Sequence, residues 1–265
     1  MSFVKPKKFL GQHCLTDQKI AQDIADTVDT IPNLPVFEVG PGMGVLTQYL
    51  LKKDRPIKVV DLDTESIEYL HEEFPELKGN IIEADFLKMD LKELFNNEQF
   101  VLTGNYPYNI SSQIFFKMLD NKEQIPLCTG MIQKEVAERI ASKPGKKAYG
   151  IISVLIQAFY NVEYLFTVSE KVFNPPPKVK SAVIRMTRNE TRKLDCDEKL
   201  FKSVVKTTFN QRRKTLRNSI KPILGKDSEI AKLEIFQKRP EQLSVEEFVY
   251  ITNLVAKELN IPAKE

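Results

Sequence analysis

Cysteine and histidine are scarce in this chain, and their scarcity removes whole classes of chemistry before any motif is read. Cys14, Cys128 and Cys196 form an odd, scattered set without a C-x-x-C pair, and His13 and His71 are the two imidazoles. Neither a disulfide framework nor a metal site is expected. No apolar run approaches the length of a membrane span, and Met1–Lys8 lacks the apolar core of a signal peptide. A cytoplasmic protein without membrane association is therefore expected. There is no internal repeat or low-complexity segment. Hydrophobic residues at 42% and charged residues at 28% match a soluble globular chain. The 265 residues suffice for one large domain, or a large one with a small companion.

Against that background, Asn105-Tyr106-Pro107-Tyr108 is the most informative string. Asn105 has a carbonyl acceptor, and Pro107 biases Tyr106 to an extended backbone, so that the Tyr106 carbonyl can point into the same pocket. Two acceptors suit the two N–H groups of one planar amine. The lone pair of a nucleobase amine is delocalised into its ring, and hydrogen bonds from both N–H groups can rotate it toward an electrophile while Tyr108 stacks on the base. Taken alone, such a string is more often an ordinary turn.

Upstream lies Glu38-Val39-Gly40-Pro41-Gly42-Met43-Gly44, between an apolar stretch and a helix-like segment at 45–51. It reads as strand, glycine turn and helix, but not as a dinucleotide fingerprint, because Val45 stands where G-x-G-x-x-G wants glycine. The acid two residues before the first glycine would repel a pyrophosphate and suits a ligand with a cationic end, such as S-adenosylmethionine.

Polar residues recur where apolar, strand-like runs end. Glu38, Asp61, Asp85 and Asn105 are separated by 23, 24 and 20 residues. Each interval fits one strand-helix-strand crossover, which gathers the four side chains along the carboxyl edge of a parallel sheet, where such sheets bind ligands. Asp61 is placed to accept ribose hydroxyls and Asp85 to accept from an adenine amine. Taken singly, each aspartate reads as a helix N-cap; four positions in register say more.

These residues resemble the KsgA-type ribosomal RNA adenine dimethyltransferases. The similarity runs nearly end to end: Lys8–Gln12 with Leu15, Gly40–Gly44 with Leu46-Thr47, Asn105–Ser111, Phe173–Val183 and Gln211–Asn218. The arginine-rich last block is the most discriminating, since the related methyltransferases of macrolide resistance as a rule lack it. The resemblance implies S-adenosylmethionine as cofactor, and two methyl groups placed on the N6 amine of each of two adjacent adenines near the 3' end of 16S rRNA, in the small ribosomal subunit. It implies a role in ribosome biogenesis. It puts His13 and Leu15 over the cofactor with Glu38, Gly40 and Gly42, Asp61 on the ribose, Asp85 on the adenine, and Asn105 between cofactor and target. Tyr106 and Pro107 complete the catalytic turn, and Tyr108 and Phe173 sandwich the target base, the latter ahead of the rigid Pro175-Pro176-Pro177. Three positions depart from the family pattern: His13 replaces an asparagine, Asp61 a glutamate and Tyr106 a leucine.

The chain's net charge of +3 is unevenly spread, for residues 196–221 hold eight basic side chains against two acids, a net +6, which leaves −3 for the rest. Lys206, Arg212, Arg213, Lys214, Arg217 and Lys221 are the expected RNA contacts, in one helical stretch where Lys206, Arg213, Arg217 and Lys221 can share much of one face. Lys5, Lys7 and Lys8 and the loop 143–147 could extend the track.

The coarse pattern predicts a helix over 17–28, alternating strands and helices to about 120, a strand at 128–133, helices at 134–142 and 150–160, and two last strands near 162–168 and 180–187. The expected fold is α/β: a Rossmann-like class I methyltransferase sheet, mostly parallel with a closing antiparallel hairpin, followed by a small all-helical C-terminal domain. The boundary is expected at 188, giving a catalytic domain over 1–188 and a helical RNA-binding domain over 189–265. A monomer that binds no DNA is expected. A DNA-adenine or protein-glutamine methyltransferase would use the same turn, but the proline loop and arginine block argue against both. A non-catalytic RNA-binding assembly factor on the same fold is the remaining alternative.

Overall fold

The computed structural model describes Lys5, Lys7 and residues 13–262; Lys8 and the block Lys8–Gln12 lie outside them. The chain forms two compact units, one comprising Asn161–Arg188 together with the chain up to Ala137, the other Glu138–Tyr160 together with the chain from Asn189.

In the first unit, β1 (Cys14–Leu15) precedes α1 (Gln18–Asp26), whose start is fixed by Asp17 accepting from the Ile20 N–H at 3.1 Å. Strand–helix alternation follows: β2 (Val36–Val39), α2 (Thr47–Leu50), β3 (Ile57–Asp61), α3 (Thr64–Glu73), β4 (Ile81–Glu83), β5 (Val101–Thr103), α4 (Ser111–Asp120) and β6 (Leu127–Gln133). After α5 (Lys134–Ala141) and α6 (Ile151–Gln157) come β7 (Tyr160–Val168), β8 (Phe173–Asn174) and β9 (Ser181–Arg188). The seven-stranded sheet has the order β4-β3-β2-β5-β6-β9-β7. The pairs from β4 across to β6 are parallel, and β9 is antiparallel to β6 over seven residue pairs. This is the expected Rossmann-like α/β sheet. Every residue of β2 is buried, as a central strand covered on both faces requires. Phe37, at its centre, meets Phe86, Phe95 and Phe100 at ring separations of 6.0–6.5 Å. Each such ring contributes roughly 1.5–3 kcal/mol on burial.

The second unit contains α7 (Glu198–Phe209), α8 (Leu216–Ser219), α9 (Lys221–Leu224) and α10 (Val245–Glu258). A Ser244–Glu247 capping box starts α10, and Phe209 meets Phe248 at 5.9 Å. Residues 138–160 pack here, although sequence order groups them with the sheet. The Tyr149 hydroxyl donates to Leu243 O at 2.7 Å and the Gly145 N–H to Glu241 O at 2.6 Å. A buried tyrosine needs an acceptor, and this unit supplies it. Among the described residues no helix is long and apolar enough to cross a membrane.

Two glycines in the centre of the sheet admit no side chain. A Cβ on Gly104 would lie 2.4 Å from Val39 O, and one on Gly130 (φ +140°) 2.2 Å from Gly104 O and 2.6 Å from the Tyr106 ring. Gly130→Ala is therefore expected to lower the unfolding free energy by roughly 2–4 kcal/mol. Urea titration checks this, and an unchanged midpoint would contradict the packing described.

Candidate active site

The carboxyl edge of the parallel strands opens into a cavity of about 310 Å³. His13, Leu15, Glu38, Gly40, Gly42, Asp61, Asp85, Asn105, Tyr106, Pro107 and Tyr108 all line it. The crossover spacing thus brings together the four strand-end residues read from the sequence.

The glycine turn has its own logic. Gly42 takes φ +54° and points its N–H at Asp61 Oδ2, 3.1 Å away. Gly44 takes φ +78°, and a Cβ there would lie 2.4 Å from the Phe74 ring. The amide that a phosphate-binding loop would offer to its ligand is thus engaged by a carboxylate.

Glu38 is 1% exposed and accepts a hydrogen bond from Thr47 Oγ1 at 2.5 Å. Burial pushes its carboxyl up to about 8; the Thr47 bond pulls the other way and the Asp61 charge adds to the rise. Asp61, also buried, accepts from the Gly42 and Asp63 N–H groups, one per oxygen, at 3.1 and 3.0 Å. Burial raises its pKa against those two bonds. Asp85 Oδ1 accepts from the Leu87 N–H at 3.0 Å and so caps the 3-10 turn Phe86–Lys88 while lining the cavity. The N-cap reading of that residue therefore holds.

Asn105 follows β5 and forms an isolated parallel bridge to Met131, with the Tyr106 N–H donating to Met131 O at 3.1 Å. Asn105 Nδ2 donates to His13 O at 3.3 Å. The Tyr106 side chain is 1% exposed, and its hydroxyl donates to Thr129 O at 2.7 Å. Half-buried Tyr108 hydrogen-bonds Ser181 Oγ through its hydroxyl.

The structure departs from the expected site in two places. Phe173 does not line the cavity: it is 4% exposed and packs in an apolar cluster with Leu15, Ile24 and Leu46. The β1–β8 ladder pairs it with Leu15 and so draws the ring into the core. The basic segment is not one helix either. α7 stops at Phe209, residues 210–215 turn, and α8 restarts after Thr215 in extended conformation (ψ 156°). Six consecutive polar residues from Asn210 to Thr215 offer no apolar stripe to hold a helix against the core. Lys206, Arg213, Lys214, Arg217 and Lys221 are exposed. Arg212 is half-buried, donating to Tyr149 O at 3.0 Å with its guanidinium 5.9 Å from the Phe209 ring centre.

Thr47 and Ser181 carry no role in the sequence reading. A buried acid needs a donor, and the hydroxyl opening the helix after the glycine turn is the first to follow Glu38 in the sequence, so Thr47 had a signal. Ser181 had none, since its pairing with Tyr108 spans 73 residues.

Burial of Glu38 has a sign that can be tested. The folded chain keeps this proton up to about pH 8, whereas the unfolded chain releases it near pH ~4.3. Its contribution is therefore fully present below that lower value and is lost as pH rises through the folded one, by about 1.4 kcal/mol per pH unit. Glu38→Gln removes the dependence, so the variant should gain on wild type between pH 5.5 and 8 in urea unfolding. A difference independent of pH would contradict a buried, protonated Glu38.

With this geometry in place, residues 4–257 match the family model described as ribosomal RNA adenine dimethylase. A Bacteroides fragilis protein named ribosomal RNA small subunit methyltransferase A is 73% identical over 99% of this chain and 96% of its own length. Among solved structures, a dimethyladenosine transferase from Plasmodium falciparum superposes with a TM-score of 0.77, covering 93% of this chain and 98% of that one, at 24% identity. The 23S rRNA methyltransferase ErmE reaches 0.67 over 90% of this chain and 99% of its own, at 26% identity. The chain belongs to the ribosomal RNA adenine dimethylase family.

Proposed function

We propose that this protein transfers methyl groups from S-adenosylmethionine to the N6 amines of two adjacent adenines near the 3' end of 16S rRNA, giving N6,N6-dimethyladenosine in the small ribosomal subunit. The observation that carries this is the convergence of the Asn105–Tyr108 turn and three sheet-edge carboxyl groups on one cavity.

The residues present fit the cofactor. A buried acid whose charge is costly in the free protein is stabilised by a cationic neighbour, and Glu38 beside the glycine turn meets that description. Asp61 keeps a further lone pair on each oxygen for ribose hydroxyls, and Asp85 offers Oδ2 to a ring amine. When bound, S-adenosylmethionine supplies an electrophilic methyl on sulfur. The chain's work is alignment: Asn105 Oδ1 and the main-chain carbonyl before Pro107 accept the two N–H groups of the adenine amine and turn its lone pair toward the cofactor side. Tyr108 provides a stacking face, its ring fixed through the Ser181 bond. Once methylated the nitrogen is cationic and its proton acidic, so loss to water needs no dedicated base. The target must leave its stack, which favours single-stranded or loop RNA. Arg213, Lys214 and Arg217 would hold phosphates, with Lys206 and Lys221 beside them, while Arg212 braces the fold. We place the protein in the cytoplasm, acting as a monomer.

The test is incubation with labelled S-adenosylmethionine and small subunits from a strain lacking the modification, beside naked RNA, duplex DNA and protein, read by nucleoside mass spectrometry. Dimethyladenosine confined to subunit RNA is expected. Tight binding without transfer would instead mark an assembly factor. Asn105→Ala should slow transfer by at least about a hundredfold while subunit affinity holds; equal loss of both would mean its role is misassigned. Arg213→Ala or Arg217→Ala should each reduce the salt slope of RNA binding by about one. Arg212→Ala should lower the unfolding midpoint instead, and the converse pattern would reverse these assignments.

A further inference from the structure

His13 makes contacts that methyl transfer as derived above does not use. A main-chain carbonyl can only accept, so the amide atom of Asn105 lying 3.3 Å from His13 O is the nitrogen. That fixes the amide flip and turns Oδ1, the acceptor wanted by the target amine, away from His13. Strand β1 is two residues long and pairs only Cys14 with Asn174 and Leu15 with Phe173, a ladder too short to be stable alone. The Thr16 N–H and hydroxyl both donate to Val172 O, at 2.8 and 2.9 Å, and the imidazole adds a further tie at the other end of β1, with Nδ1 3.1 Å from Pro175 O. Because that oxygen also only accepts, Nδ1 carries the proton. The same ring lies 5.3 Å from the Tyr108 ring at 33°, the Tyr108 hydroxyl being engaged by Ser181. At that separation no base fits between the two rings, so the target stacks on the other face of Tyr108.

We infer that His13 is a positioning residue for the target amine: its imidazole anchors β1 to the proline loop and backs Tyr108, and its carbonyl thereby sets the Asn105 amide. This rests on the methyl-transfer reading and assigns His13 to the acceptor side of the site rather than to cofactor binding. It follows that the second methylation depends on His13 more than the first. After one methyl is in place the amine has a single N–H, and a misplaced Oδ1 has no second hydrogen bond to offset it.

Full-length protein and unmodified small subunits test this, with single-turnover rate at saturating S-adenosylmethionine and cofactor affinity by calorimetry measured separately. His13→Ala should slow transfer roughly ten- to a hundredfold and leave monomethyladenosine in excess, with cofactor affinity within about twofold of wild type. His13→Asn places an amide nitrogen where Nδ1 stands and should recover most of the rate. Should the alanine variant not fold, His13→Phe keeps the ring, loses the donor, and should be slower than His13→Asn. A weakened cofactor affinity with an intact saturated rate would make His13 a cofactor ligand and overturn the inference. So would an unchanged mono-to-dimethyl ratio, or a phenylalanine variant faster than the asparagine one. A wild-type protein that transfers nothing defeats the methyl-transfer reading itself, and this inference with it.

Discussion

The Asn105 turn is held in place by main chain packed too closely for any side chain to intervene. Gly104 sits against Val39 O on β2, and Gly130 against Gly104 O just past the end of β5. Because those strands approach without Cβ atoms between them, the Met131 N–H reaches Gly104 O at 3.0 Å and the Tyr106 N–H reaches Met131 O at 3.1 Å. The ladder therefore continues one step past the last regular residue of β5 and delivers Asn105 to the cavity on backbone geometry alone. Tyr106 completes the arrangement. Its ring fills the space above Gly130, and its hydroxyl satisfies Thr129 O. The Tyr106 side chain thus adds a hydrogen bond beneath the Asn105 turn.

On the other side of the cavity the organising force is the cost of burying acids. Glu38 and Asp61 are both out of water, and each is offset differently: Glu38 by keeping its proton and a bond from Thr47, Asp61 by two backbone N–H groups. The Gly42 amide that Asp61 captures ties the glycine turn to the end of β3. One bond thus serves both loop geometry and charge placement, which is why positive φ at Gly42 matters although a Cβ there would meet no atom within 4 Å. Position 42 is constrained by its backbone conformation, position 44 by the Phe74 ring.

How much of this could be read in the sequence depends on the range of the interaction. Strand ends set by local hydrophobicity and crossover length placed Glu38, Asp61, Asp85 and Asn105 correctly, since a parallel sheet leaves such residues nowhere else to go. The capping box at Ser244 is equally local. Phe173 fails for the opposite reason. The rigid proline loop after it predicts a fixed ring, but which way the ring faces is decided by pairing with Leu15, 158 positions earlier in the chain. The broken basic helix is intermediate, because Phe209, Leu216 and Ile220 keep helical spacing and only the polar run between them signals the turn. Arg212, alike in type to Arg213, differs because Tyr149 O and the Phe209 ring lie beside it, and no feature of the local string separates the two.

The shortage of reactive side chains acquires a meaning in the folded protein. Cys128 is fully buried with its thiol pushed up to about 12, Cys196 is pushed up to about 11, and burial raises Cys14 as well. Thiolate chemistry is closed to all three at neutral pH. His13, the one imidazole at the cavity, has Nδ1 committed to Pro175 O. What remains at the site is an amide, main-chain carbonyls, an aromatic face and buried acids. Such groups can orient a substrate, and an amine whose lone pair is delocalised requires orientation above all. The rigidity of the acceptors at this cavity traces back through Met131 and Tyr106 to two glycines in the middle of the sheet.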